Sequence, residues 1–201
     1  MPRIEQILQR YAEALTAWAE AAAMRMLRDV EAVDRSAWAV LSSEMSQELQ
    51  REIARAPTGE ILRQRMNEQV ALIKSIPLDA AKRVHEFSLK GLETSTRGED
   101  IRAAILASGD VATSRATLIA RTEVARTASL LTQARAEFVG STHYIWRTSG
   151  DTDVRAGHRA MNGKVFRWDD PPEVNENGRV LRHHPGQIWN CRCYPEPIIP
   201  D

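Results

Sequence analysis

Apolar side chains recur at helical spacing through most of the first 140 residues, and many of them are only alanine. Ile4, Leu8, Tyr11, Leu15, Trp18 and Ala22 follow one another at intervals of 4, 3, 4, 3 and 4, the stripe of a helix that packs along a seam. The stripe slips at Met24 and Met26 and resumes at Val30 and Val33. Asp34 and Ser36 offer caps for a second helix through Trp38, Leu41, Met45 and Leu49. Pro57, Thr58 and Gly59 interrupt the pattern. A third helix, with Ile61, Leu62, Met66, Val70 and Ile73, is expected to end near Pro77, and a fourth to close at Gly91. A short helix over "RGEDIRAAILASG" and a long one over "DVATSRATLIARTEVARTASLLTQARAEFVG" follow. Few large side chains per turn are available for a core. Helices of this kind make thin bundles or extended arms that complete their cores against a partner. His85, with no ligand-type neighbour, reads as a structural or surface histidine.

After Gly140 the texture changes. "HYIWRTSGDTD" begins as a strand and then turns. Asn162-Gly163 is a hairpin signal ahead of the strand-like Val165 and Phe166, and "DDPPEVNENGRVLRHHPG" reads as a loop. Trp146, Trp168 and Trp189, with His143, His158, His183 and His184, crowd into this tail. A module so small and irregular must lean on the helices or on a bound ion. The expected class is mostly α with a small α+β C-terminal module. Residues 1–60 form a helical arm, 61–140 a helical part, and 141–201 a compact hairpin- and loop-rich module.

Charge is balanced, 27 basic against 27 acidic residues, so no basic excess announces a nucleic-acid binder. Arg115, Arg121, Arg126 and Arg135 on the long helix either meet phosphates or form a solvated face partly neutralised by Glu123 and Glu137. The N-terminus is charged from Arg3 and has no apolar h-region, and no window approaches 18 uncharged apolar residues. With only two cysteines and no export signal, the expectation is a soluble protein made in a reducing cytoplasm.

Those cysteines, Cys191 and Cys193, close the chain in "HPGQIWNCRCYPEP". In an extended strand their Cα atoms would lie about 6.6 Å apart, the far end of the disulfide range, so a bridge between them is disfavoured. A shared zinc needs their sulfurs about 3.8 Å apart, which a kinked backbone permits. His158 and His184 would complete a set of two thiolates and two imidazoles, giving a tentative metal site of His158, His184, Cys191 and Cys193, with one structural zinc as the candidate cofactor. The competing reading makes the cysteines small buried hydrophobes and His183 and His184 solvated loop residues. Asp153, His158, Asn162 and His184 also admit a small metal-dependent nuclease or toxin-like effector. Such a site wants its last histidine on a helix, whereas Pro185 and Gly186 favour a turn. Arg121 and Glu123, polar residues in mid-helix, are expected to tie the C-terminal module to the long helix, Arg121 by reaching carbonyls or Asp153.

The combination resembles a known family. "LIARTEVARTAS" in the long helix, Trp146-Arg147-Thr148, the run D-x-D-x-R-x-x-H from Asp151 through Asp153 and Arg155 to His158, Gly163 beyond it, and the closing "NCRC" match the phage Mu F-like family of minor head, or head-morphogenesis, proteins of tailed phages. "LIKSIP" at 72–77 looks like the entry to that family's domain. The resemblance spans roughly residues 70–197, and residues 1 to about 60 carry no family signature. It implies a non-catalytic virion component, present in few copies and assembled in the bacterial host cytoplasm. The implied partners are the phage portal protein, then the major capsid or scaffolding protein, and, weakly, packaged double-stranded DNA, with no membrane. Nothing after Asp201 remains to serve as an effector, so an assembly protein is the expectation over the nuclease.

Overall fold

The computed structural model describes the backbone of residues 2–93 and 98–200, and the side chains of most residues in 6–79 and 110–200. His85 lies outside the described side chains. The helices are α1 (Pro2–Ala14), α2 (Thr16–Leu41), α3 (Gln47–Arg55), α4 (Thr58–Glu93), α5 (Gly98–Phe138) and the short α6 (Ala156–Met161). The strands are β1 (His143–Arg147), β2 (Val165–Arg167), β3 (Glu173–Glu176), β4 (Arg179–Arg182) and β5 (Tyr194–Ile198). The chain is mostly helical with a small antiparallel sheet module at its C-terminal end, the expected class.

Several expected breaks are absent. α2 runs through Asp34 and Ser36 without a cap, because Asp34 is buried and bonded to Arg135 instead. α4 continues through Pro77, although proline removes the N–H that would reach the carbonyl of Ile73. The short and long helices expected between Arg97 and Gly140 are one, α5.

The chain divides into two compact units, Met1–Met24 with Met66–Ala120, and Arg25–Arg65 with Arg121–Asp201. Residue 60, the expected boundary, lies inside α4, and Arg25–Arg65 falls in the same unit as Arg121–Asp201. In the first unit the buried positions include Ala12, Ala19 and Ala23, whereas Tyr11 and Trp18 are more than half exposed at 55% and 57%. The seam thus runs through small residues one position along from the expected stripe. Arg115 joins α4 to α5 there, donating to Ser75 Oγ at 3.2 Å and pairing with Asp79 at 2.9 Å.

The second unit holds a true core. Trp38 of α2, Ile53 of α3 and Ala136 and Val139 at the end of α5 pack with Tyr144, Trp146, Trp168, Val174, Ile188, Cys191 and Cys193. Arg135 fastens its helices, donating from Nε to Asp34 Oδ2 at 2.7 Å and from Nη1 to the Ile53 carbonyl at 2.9 Å. α5 ends at Phe138 and is stopped by Gly140, whose φ of +84° suits a residue without Cβ. Gly140 N–H donates to Glu137 O and Ser141 N–H to Ala136 O, the paired bonds of a Schellman stop, which deliver the chain into β1.

β1 is the central strand of a three-stranded antiparallel sheet, between β2 and β5. Its alternation buries Tyr144 and Trp146 on one face. Asn162-Gly163 is not a hairpin. Asn162 caps the C-terminal end of α6, and its Oδ1 accepts from Thr148 N–H at 3.0 Å. The two-residue hairpin lies inside the expected loop. β3 and β4 pair across Asn177-Gly178, with φ of +54° and +93° as a type I′ turn requires.

Candidate functional site

The closing segment lies along the second half of α5. Thr122, Arg126 and Ser129 are spaced 4 and 3 apart and so share a helix face. Thr122 Oγ1 accepts from Asn190 N–H at 2.9 Å, Arg126 Nε donates to the Gln187 carbonyl at 3.0 Å, and Ser129 Oγ donates to the Pro185 carbonyl at 2.7 Å. Gly186, at φ +82°, makes the close approach possible. A Cβ there would sit 3.1 Å from the Ala125 carbonyl oxygen and 3.0 Å from that of Cys193. The segment then turns at Asn190, which is left-handed with φ +50°, and turns both cysteine side chains inward.

His158 reaches the same place from α6. Gly157 allows this, because a Cβ on it would collide with the Asn175 carbonyl of β3. The His158 ring is 2% exposed, with Nδ1 lying 3.3 Å from Cys193 Sγ and 3.4 Å from Cys191 Sγ. Its Nε2 meets Glu176 Oε1, and His183 Nε2 shares that oxygen at 3.0 Å. His183 Nδ1 lies 3.0 Å from the His184 carbonyl. Arg155 Nη1 pairs with Glu176 Oε2 at 3.4 Å, while Arg155 Nη2 donates to the Trp189 carbonyl at 2.7 Å. Trp146 sets its ring edge-on to His158.

The electrostatics follow from this packing. Cys191 is held well below the usual thiol range, first by the hydrogen bond from Cys193 and then, against the effect of burial, by His158. Cys193 is driven up by the same bond and by burial. Burial pushes His158 down, but its bonds to Cys191 and Glu176 together outweigh burial and raise it. His184 is lowered by burial, and Tyr144 is raised for the same reason.

Of the tentative metal set, His158, Cys191 and Cys193 come together and His184 does not. His184 Nδ1 is 2.9 Å from the Tyr144 hydroxyl, and its other bond is to the Trp168 backbone. Both cysteines are free thiols, and His183 and His184 are buried rather than solvated. The four residues of the nuclease reading have separate partners. Asp153 is exposed and pairs with Arg192 at 3.3 Å, Asn162 serves Thr148, His184 serves Tyr144, and only His158 is in the cluster. Arg192, between the cysteines, projects outward to Asp151 and Asp153, as strand alternation expects.

The tie between α5 and the C-terminal module is made directly by Thr122, Arg126 and Ser129, with the expected Glu123 behind Arg126 and without Arg121. Arg121 is exposed and does not reach Asp153. Glu123 is buried and holds Arg126 at 3.3 Å and Arg65 at 3.4 Å, and Arg126 makes the bond to the closing segment. Glu176 was not legible as a site residue. Its one signal is the Asn177-Gly178 turn, which makes "EVNE" a strand and places Val174 and Glu176 on one face.

Three comparisons bear on what this chain is. It is 32% identical over 130 residues to an uncharacterized protein of Haemophilus influenzae (strain ATCC 51907 / DSM 11121 / KW20 / Rd). That match covers 65% of this chain but only 28% of the relative, so the chain spans well under half of that protein's length. No solved structure matches the chain. The family described as Phage Mu protein F like protein matches residues 82–195, which takes in all of α5, most of the sheet module, His158, Glu176 and both cysteines. With more than half of its length inside that match, the chain belongs to the phage Mu protein F-like family.

Proposed function

We propose that this chain is a head-morphogenesis protein of a tailed phage, a minor, non-catalytic component of the virion head that acts in capsid assembly near the portal. The observation that carries this reading is the family match over residues 82–195. The geometry agrees with a scaffold more than with a catalyst. Candidate site residues of the C-terminal module are engaged in internal ties: Arg155 with Glu176 and Trp189, Asn162 with Thr148, His184 with Tyr144.

The first partner in this reading is the portal protein, followed by the major capsid or scaffolding protein. An apolar face supports a protein partner. Ile7, Tyr11 and Trp18, spaced 4 and 7 apart, are 59%, 55% and 57% exposed. Contact with packaged DNA is a lesser element. Of the four arginines first considered for phosphate contact, Arg115, Arg126 and Arg135 are engaged with Asp79, Glu123 and Asp34, which leaves Arg121 on the surface.

Quantitative mass spectrometry of purified proheads and virions tests the proposal. The expected result is a few copies of this chain per portal ring, and empty or aberrant heads when the gene is deleted. Absence from both particles, with normal head assembly after deletion, would overturn it. Incubating the protein with plasmid and Mg²⁺ or Mn²⁺ is expected to leave the DNA intact.

A further inference from the structure

We propose that Cys191, Cys193 and His158 bind one zinc ion through their two Sγ atoms and Nδ1, with Glu176 orienting the imidazole from behind. Distances support this first. Zn–S bonds of about 2.3 Å and Zn–N bonds of about 2.0–2.1 Å in a tetrahedron put ligand N and S about 3.5 Å apart. His158 Nδ1 lies 3.3 and 3.4 Å from the two sulfurs, and all three donor atoms lie within 4.8 Å of one another.

The hydrogen-bond pattern is compatible with it. A neutral imidazole has a single N–H. Here Nε2 faces a carboxylate oxygen, which must accept, while Nδ1 faces two sulfurs at once. A zinc ion satisfies every group. It takes the Nδ1 lone pair and both thiolates, and it leaves Nε2–H to donate to Glu176 Oε1. Carboxylate, histidine and metal then stand in line, the usual way a metal-bound imidazole is held in one tautomer. Arg155 keeps that carboxylate in place through Glu176 Oε2.

Two soft thiolates and an imidazole favour zinc over magnesium or calcium, which take oxygen ligands. The described residues supply three donors, so a small ligand such as water takes the fourth position. The ion would join the closing segment to α6 directly and to β3 through Glu176. That pins a small module with much irregular backbone, and the binding free energy adds to its folding free energy.

The test uses the full chain, purified without a histidine tag under reducing conditions. Elemental analysis is expected to find about one zinc per chain, and cobalt substitution to give the thiolate charge-transfer and intense d–d bands of a tetrahedral site. Cys191→Ser and Cys193→Ser should lose both signals. In case they do not fold, Glu176→Gln keeps the donor set and should weaken zinc affinity about 10–100-fold in chelator competition. His184→Gln should leave the stoichiometry unchanged. Less than about a tenth of an equivalent of metal, with no cobalt bands on titration, would overturn the proposal. So would thiols that react equally fast with and without a chelator, the mark of a metal-free cysteine–histidine pair.

Discussion

Residues 110–120 and 121–138 are turns of one helix, α5, yet among the described side chains only the second stretch buries polar and charged residues. In the first stretch Val111 and Leu118 are 47% and 42% exposed. In the second, Thr122, Glu123, Thr127, Ser129 and Arg135 are buried while Val124 is 40% exposed. The difference lies in what each stretch packs against within its own unit. Residues 121–138 meet a segment with little regular hydrogen bonding, whose carbonyls and N–H groups need partners. Thr122, Arg126 and Ser129 supply them. A helix that must satisfy another segment's backbone buries polar residues, and its sequence then hides which face is inside.

The sharpest way to break this comparison is to remove an arginine from each stretch. Arg135→Ala leaves Asp34, whose side chain is 4% exposed, as an unpaired buried charge and frees the Ile53 carbonyl. We expect a loss of about 3–5 kcal/mol, read by urea unfolding of the full chain. Arg115→Ala removes a pair whose side chains are 40% and 30% exposed, and should cost under about 1 kcal/mol. Equal losses would mean that both stretches use their arginines alike.

Gly186→Ala tests the close approach itself. The added Cβ meets two carbonyl oxygens at 3.0 and 3.1 Å and must hold φ near +82°, so about 2 kcal/mol should be lost.

What the sequence made legible depends on how scarce each residue type is. Only two cysteines and five histidines are present, so the meeting of His158 with Cys191 and Cys193 was readable from residue type and position. Glu176 is one of 27 acidic residues, and nothing marks it until its strand is recognised. His183 and His184 are neighbours, and composition cannot say which of two adjacent side chains faces the cluster. In the structure His183 faces Glu176 and His184 faces Tyr144. The helix breaks expected at Asp34 and Pro77 are absent, because a cap or a proline only biases the backbone, and a buried ion pair or a long helix overrides it.

A smaller effect concerns pH. Burial lowers His184, so the unfolded chain takes up a proton near the ordinary histidine value of about 6.5 before the folded chain does. Its contribution is fully present above that pH and is lost as the pH falls from there toward the lowered folded value. Comparing the wild type with His184→Gln from pH 7.5 to 5.5 should show a stability difference that shrinks as the pH falls. A difference that stays constant would place His184 in water. The smallest effect is expected of Arg121→Ala, which should stay within about 0.5 kcal/mol of the wild type because the side chain is exposed.

Native-state hydrogen exchange on the full chain tests most directly whether the second half of α5 and the C-terminal module form one cooperative structure. Residues 121–138, the Asn190 N–H held by Thr122, and the β1–β5 ladder should lose protection together as denaturant rises. If the ladder stayed protected while residues 121–138 exchanged freely, the module would be folding without its helix, and the claim would be wrong.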